Sequence, residues 1–404
     1  MSKKENLINI VKSYGWFIVI LIPCIVLFAM YKVQSPANTA GVGYLYYTIF
    51  LAVGVLLLVK GADYFVDGAS AIARKLHISP LVVGLTVVSF GTSAPELAVS
   101  LTSSLQGNSG IALGNVVGSN IMNLLIVLGL SSIVTPIVVK KSLTKREFPF
   151  LIVATVLLMI FSMDILFDGY SKENVVSNVL SRGEALIFLF GIIAFCYISI
   201  VMAKKDAKKE SLEMGYSDNV APAKEEEEDF PVWKAIFLLL IGLGGIVVGA
   251  EFVTTPATVI ATSLGSAAGL DPKLVVNVVG LTVVAIGTSL PELVTSMIAA
   301  KKGENEIAIG NVVGSNIFNI LFICGLSGII LPLTMTADII TDMVISFGVT
   351  LLVFYFARSG RISRKAGGIL VGVYCIYLTY ILVRLWFPQI AIPFDFTILN
   401  QIRG

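Results

Sequence analysis

Two glutamates, Glu96 and Glu292, stand inside long apolar runs, each closing the same short pattern, G-T-S-x-P-E. Burying a carboxylate at bilayer depth costs several kcal/mol, so such a residue marks a functional position. Thr92 and Ser93 precede Glu96 by four and three residues, and Thr288 and Ser289 stand in the same relation to Glu292. On a helix those spacings put hydroxyls and carboxylate on one face. Pro95 and Pro291 have no N–H for the carbonyl four residues back, so carbonyls around 89–91 and 285–287 are expected to leave the helix ladder. A second pattern, G-N-V-V-G-S-N-I-x-N, sets Ser119 four residues before Asn123 and Ser315 four before Asn319. Every group in this set offers oxygen, with no neighbouring cysteine pair or histidine cluster. Such sets suit hard cations such as calcium and sodium, not zinc or copper. Two carboxylates balance one divalent ion or hold several monovalent ones.

The two patterns belong to an internal repeat. Residues 82–133 align with 278–329 without a gap, at a constant offset of 196, and 31 of the 52 positions are identical, which chance cannot produce. A weaker echo flanks it, GADYFV at 61–66 against GAEFVT at 249–254. Gly114, Gly118, Gly310 and Gly314 are expected to let helices approach closely. Asn115, Asn120, Asn311 and Asn316 are expected to support the oxygen set or pack helices, because only one stripe of a helix can face it.

These elements must be positioned by a membrane. The chain has 404 residues, 56% hydrophobic and 13% charged, and its mean hydropathy of +0.91 lies outside the soluble range. Eleven apolar runs of spanning length follow one another, from 15–31 and 44–66 to 366–387. The expected fold is an all-α integral membrane protein. It has ten core transmembrane helices in two inverted five-helix repeats, plus one extra N-terminal helix. The divisions are 1–43 for the extra helix and its loop, 44–203 for the first repeat, 204–231 for a linker, and 232–404 for the second repeat and a short tail. Five spans per half is an odd number, so the second half enters the membrane from the opposite side and equivalent residues can meet near its midplane. The first run follows Lys3, Lys4 and Lys12 and is longer than a signal-peptide core, so a retained helix is expected.

Lys and Arg concentrate in alternate loops, among them Lys140–Lys141, Lys204–Lys205 and Lys301–Lys302. This places the N-terminus and the 204–231 linker in the cytoplasm and the C-terminus on the far side of a cell membrane. The linker runs from basic to acidic and lacks the ligand spacing of an EF-hand loop. A net charge of +2 recruits no nucleic acid. The four cysteines lie in apolar runs and imply no disulfide framework. No P-loop, HExxH or GxSxG pattern occurs, which argues against an ATP-driven pump or a membrane enzyme.

At the paired GTSxPE and GSNIxN segments the chain resembles the sodium/calcium exchanger family of the cation/calcium antiporters, over residues of about 44–387. The resemblance implies electrogenic sodium/calcium antiport by alternating access. In that scheme the first and sixth core helices slide past an ion site built by the second, third, seventh and eighth. It implies calcium and sodium as the transported ions, no cofactor, the lipid bilayer as surroundings and no obligate protein partner. Carried over residue by residue, the ligands would be the carboxylates of Glu96 and Glu292 and the amides of Asn123 and Asn319. Thr92, Ser93, Ser119, Thr288, Ser289 and Ser315 would supply hydroxyl or backbone oxygen, and Ser89 and Ala285 backbone carbonyls for sodium. Many relatives carry Asp where this chain has Asn319, so the site holds two formal charges instead of three, which weakens the case for potassium-dependent exchange. The other alternative is a proton/calcium antiporter of the same fold. Those relatives place a histidine beside the acidic residue, whereas the one histidine here, His77, sits at a loop edge.

Overall fold

The computed structural model describes Phe17 and residues 40–76, 78–162, 179–213, 231–267, 285–335 and 337–386. The expected N-terminal helix therefore lies outside the described residues, apart from Phe17, as do His77 and most of the linker. Phe17 is fully buried and meets the edge of Tyr64 at 5.2 Å.

The first half contributes α1 (Ala40–Lys75), α2 (Pro80–Thr92), α3 (Ala94–Leu105), α4 (Ser109–Val134), α5 (Phe148–Phe161) and α6 (Arg182–Glu213). The second contributes α7 (Val232–Ala267), α8 (Ala285–Thr288), α9 (Leu290–Lys301), α10 (Asn305–Ile330), α11 (Ala337–Ala357) and α12 (Arg364–Trp386). Among the described residues, seven helices are long and apolar enough to cross a membrane. The α2–α3 pair makes an eighth, bent by 49°. Helices are the expected form, because hydrocarbon leaves no solvent to satisfy backbone groups.

The repeat persists in three dimensions. α3 and α4 map onto α9 and α10 end for end at the offset of 196, and so do the π-helical turns Asn123–Val127 and Asn319–Ile323. An extra residue in one turn rotates the helix face that follows it.

α1 and α7 pack backbone to backbone through glycines. A Cβ on Gly54 would lie 3.0 Å from the Gly249 carbonyl, one on Gly61 2.8 Å from the Gly242 carbonyl, and one on Gly68 2.7 Å from the Ala235 carbonyl. As the residue number rises along α1 it falls along α7, so the two helices run antiparallel.

The last helix of each half docks on the other half. Gly129 of α4 lies under Gly367 and Val371 of α12, and its repeat mate Gly325 of α10 lies under Ala185 and Leu189 of α6. Arg364 donates to the Val134 carbonyl at 3.3 Å, and Arg182 to the carbonyls of Ile329 and Ile330 at 3.0 and 3.4 Å. Each arginine thus caps the orphan carbonyls at the end of a helix from the opposite half. Four two-residue strands, β1 (Ile137–Val138), β2 (Val179–Leu180), β3 (Leu333–Thr334) and β4 (Arg361–Ile362), repeat the exchange: β1 pairs with β4 and β2 with β3, both antiparallel.

Candidate functional site

The bend between α2 and α3 falls on Ser93, whose backbone leaves the helical region at φ −81°, ψ 9°. Ser289 repeats it between α8 and α9 at φ −88°, ψ 5°. In both places a proline occupies the first turn of the helix that follows, where its missing N–H is not needed. Each glutamate also falls in the first turn of that helix, where the positive end of the helix dipole favours an anion.

The consequence is a reciprocal crossing. Ser93 donates its hydroxyl to Glu292 Oε1 at 2.9 Å, and Ser289 donates to Glu96 Oε1 at 3.2 Å. Helical spacing by itself groups Ser93 with Glu96; the bend carries its hydroxyl over to the carboxylate of the other half. Ser315 stands 3.5 Å from Glu292 Oε1, Thr92 also reaches Glu292, and Ser119 reaches Glu96. Glu96 and Glu292 lie within electrostatic reach of each other. Both are fully buried.

A ring of amides holds these helices in register. Asn115 donates to the Glu96 carbonyl at 3.0 Å and to Ser100 Oγ at 2.9 Å. Asn311 does the same to the Glu292 carbonyl at 3.4 Å and Ser296 Oγ at 3.0 Å, and accepts the Thr92 hydroxyl at 3.0 Å. Ser100 and Ser296 are not singled out by the sequence reading. The available signal was that both copies carry serine four residues after the glutamate.

Asn123 and Asn319 are fully buried, one helical turn beyond Ser119 and Ser315. Here the halves differ. Asn319 Nδ2 donates to Asn120 Oδ1 at 3.0 Å, whereas Asn316 Nδ2 turns back to the Val312 carbonyl at 2.7 Å. The buried oxygens Glu96 Oε2, Glu292 Oε2, Asn123 Oδ1 and Asn319 Oδ1 have no hydrogen-bond partner among the described residues. Buried polar atoms are ordinarily paired. Carboxylate and amide oxygens are the ligand types that a hard cation takes, and a bound cation's charge would offset the cost of burying two carboxylates.

Ser89 is fully buried, and its carbonyl, expected to leave the helix ladder, instead keeps the Ser93 amide at 3.0 Å, with the Thr92 hydroxyl at 3.4 Å; the Ser93 amide also turns to the Gly91 carbonyl, because the bend falls after these residues. Ala285 opens α8, beside residues outside the described set. Gly310 and Gly314 lie against the α2 backbone, 2.9 Å from the Leu81 carbonyl and 2.7 Å from that of Leu85 at their Cβ positions. The matching partners of Gly114 and Gly118 lie outside the described residues.

A cavity of about 450 Å³ opens between α3, α7 and α8, reaching Pro95 and Thr288 and bordered by Glu251 and Thr254. At the repeat-related position a Cβ on Gly91 would meet the Phe65 ring at 3.0 Å and Leu243 at 3.2 Å, as one on Gly287 in the cavity wall would meet the Thr254 side chain. Lys302, just beyond α9, joins that helix to α1, with its ammonium 2.7 Å from both Asp63 and Asp67. Arg74 with Glu304 at 3.7 Å and Lys140 with Glu306 at 2.7 Å are further ion pairs at this end.

With this geometry established, comparison with known proteins is specific. The family described as sodium/calcium exchanger protein matches residues 46–201 and 234–383. The sodium/calcium exchanger MaX1 of Methanosarcina acetivorans is 34% identical over 350 residues, covering 82% of this chain and 97% of its own length. The inner membrane protein YrbG of Escherichia coli is 34% identical over 339 residues, covering 82% and 95%. Among solved structures, the sodium-calcium exchanger NCX_Mj soaked with 10 mM Na+ and zero Ca2+ superposes with a TM-score of 0.66 at 29% identity, covering 83% of this chain and 99% of that one. The match spans both repeats and the Glu96 and Glu292 segments alike, and the chain belongs to the sodium/calcium exchanger family.

Proposed function

We propose that this protein exchanges sodium for calcium across a cell membrane at the Glu96–Glu292 site, by alternating access. The observation that carries this reading is the reciprocal pair of bonds, Ser93 to Glu292 and Ser289 to Glu96. It joins equivalent groups of the two halves around one oxygen set. The ligands we assign are Glu96, Glu292, Asn123 and Asn319, with Thr92, Ser93, Ser119, Thr288, Ser289 and Ser315 completing or orienting the set and the carbonyls of Ser89 and Ala285 serving sodium. MaX1 and NCX_Mj, both named as sodium/calcium exchangers, support the choice of ions.

The mechanism follows from charge. Two carboxylates neutralise one calcium ion. Sodium ions occupying the same oxygens spread their charge over the amides and hydroxyls as well, so the two loads exclude each other. With more than two sodium ions per calcium, transport moves net charge. The antiparallel glycine contact of α1 and α7 supports two inverted five-helix repeats, ten core helices in all, with an extra helix before them. Contacts of backbone on backbone, with few interlocking side chains, suit a pair of helices that slides. The loop charges support a cytoplasmic N-terminus and an extracytoplasmic C-terminus. On that topology the closed end, with Lys302, is cytoplasmic and the cavity faces outward.

Everted vesicles loaded with sodium test the proposal. Calcium uptake that collapses when sodium is replaced by choline is expected. Uptake driven equally well by an acid gradient without sodium would contradict it.

A further inference from the structure

Two bonds in series cross the boundary between the halves beside the candidate ion site. Asn120 of α4 donates Nδ2 to the Asn316 carbonyl of α10 at 3.4 Å, and its Oδ1 accepts Nδ2 of Asn319 at 3.0 Å. All three residues are buried. A backbone carbonyl can only accept, so the end of Asn120 that meets it is the NH2 end. The oxygen end is then the one offered to Asn319, and an amide that meets an oxygen must present its own NH2. Asn319 is left with Oδ1 as its other end. That oxygen lies one helical turn beyond Ser315, whose hydroxyl stands 3.5 Å from Glu292 Oε1. The polarity of the Asn319 amide is thus set from the Asn316 backbone by way of Asn120.

The repeat mate departs from this pattern. Asn316 holds the position equivalent to Asn120, yet it donates Nδ2 to the Val312 carbonyl of its own helix at 2.7 Å. Among the described residues the relay occurs in one half only.

A primary amide has two ends of nearly the same shape and opposite polarity. With oxygen forward it is a ligand for a hard cation; with NH2 forward it repels one. Packing alone does not choose between the two, because turning the amide over leaves its shape unchanged. We infer that Asn120 is a positioning residue that holds Asn319 oxygen-forward and so makes it a cation ligand. This inference rests on the exchange reading above, in which Asn319 belongs to the ion's oxygen set, and adds what orients the amide there.

A residue that only fills space behaves differently from one that fixes an amide's polarity. Aspartate at position 319 has oxygen at both ends and no polarity to fix. Asn120 Oδ1 would then face an oxygen, so losing Asn120 relieves a repulsion instead of releasing a ligand.

The experiment is a double-mutant cycle read by equilibrium calcium binding to the purified full-length protein in detergent. Asn120→Leu keeps the branched outline of the side chain and deletes both polar ends. In the chain with Asn319 we expect it to weaken calcium binding about tenfold, the usual cost of losing a residue that orients a metal ligand. In the Asn319→Asp chain the same change should leave calcium binding within about twofold or tighten it. Asn120→Ala, which cannot overpack, should show the same pattern. A loss of like size in both backgrounds, or no loss in either, would overturn the inference while leaving exchange intact. Absence of sodium-displaceable calcium binding in the unmodified chain would overturn both.

Discussion

Ser93 of the first half donates its hydroxyl to Glu292 of the second at 2.9 Å, and the mirrored bond from Ser289 to Glu96 measures 3.2 Å. A hydrogen bond to a charged group contributes about 2 kcal/mol. Ser93→Ala and Ser289→Ala are each expected to weaken calcium binding roughly thirtyfold. Because the bonds are mates, the two losses should agree within a few-fold. Calcium titration of the purified variants checks this. A large loss in one and none in the other would show that the two halves do not share the site evenly.

Asn319 offers its amide nitrogen to Asn120, which aims its oxygen elsewhere. Asn319→Asp removes that donor and adds a third negative charge to the set. Calcium is expected to bind more tightly and sodium-driven release to slow, with added potassium able to neutralise the extra charge and restore turnover. Uptake rates across a potassium titration read this directly. An unchanged cation profile would place Asn319 outside the ion's reach.

Gly242 of α7 makes the tightest of the α1–α7 glycine contacts, since a Cβ there would run into the Phe65 amide nitrogen and lie 2.7 Å from the Gly61 carbonyl. Backbone cannot yield as a side chain does, so Gly242→Ala is expected to cost about 1–3 kcal/mol and to lower the melting temperature in detergent. Gly368→Ala, on an exposed face of α12 with nothing within 4 Å among the described residues, is the matched control and should be neutral. Equal melting temperatures for the two variants would contradict the close packing of α1 on α7.

Lys302 bridges Asp63 and Asp67, and on the proposed exchange cycle these bonds close the cytoplasmic end. Burial pulls its pKa down, but the two aspartates more than offset that and hold it above the ordinary 10.5. A raised pKa means the contribution is complete below the ordinary value and is lost only as the pH climbs past the raised one. The closure should therefore be constant between about pH 6 and 9. With an Ala73→Cys reporter in a cysteine-free background, alkylation by an impermeant thiol reagent should be slow and flat over that range. Adding Lys302→Gln should speed it several-fold. Unchanged alkylation would show that the ion pairs do not hold this end shut.

Much of this was legible in the chain itself. Glu96 and Glu292 announce themselves because hydrocarbon makes an idle carboxylate expensive. The repeat identifies their partners because two copies of one pattern share one local structure. Pro95 and Pro291 mark the breaks, since proline is at home in the first turn of a helix and each opens the one that follows the bend. The crossing of Ser93 to Glu292 was not legible, because it depends on how two segments 199 residues apart come to pack. The π turns at Asn123 and Asn319 leave no trace in the spacing of apolar residues. Nor did the unlike amides Asn120 and Asn316, identical in sequence context, show that only one would bond across. The exchange of α6 and α12 between halves was equally hidden, since it rests on Gly129 and Gly325 meeting helices far along the chain.

On the proposed exchange cycle two buried acids, one from each half, carry the divalent ion together. Calcium-45 uptake into sodium-loaded proteoliposomes, compared among the unmodified protein, Glu96→Gln and Glu292→Gln, tests it most directly. The expected result is robust uptake by the unmodified chain and a loss of at least about a hundredfold in each variant, with monodisperse protein in all three. Uptake near the unmodified rate in either variant would contradict the account.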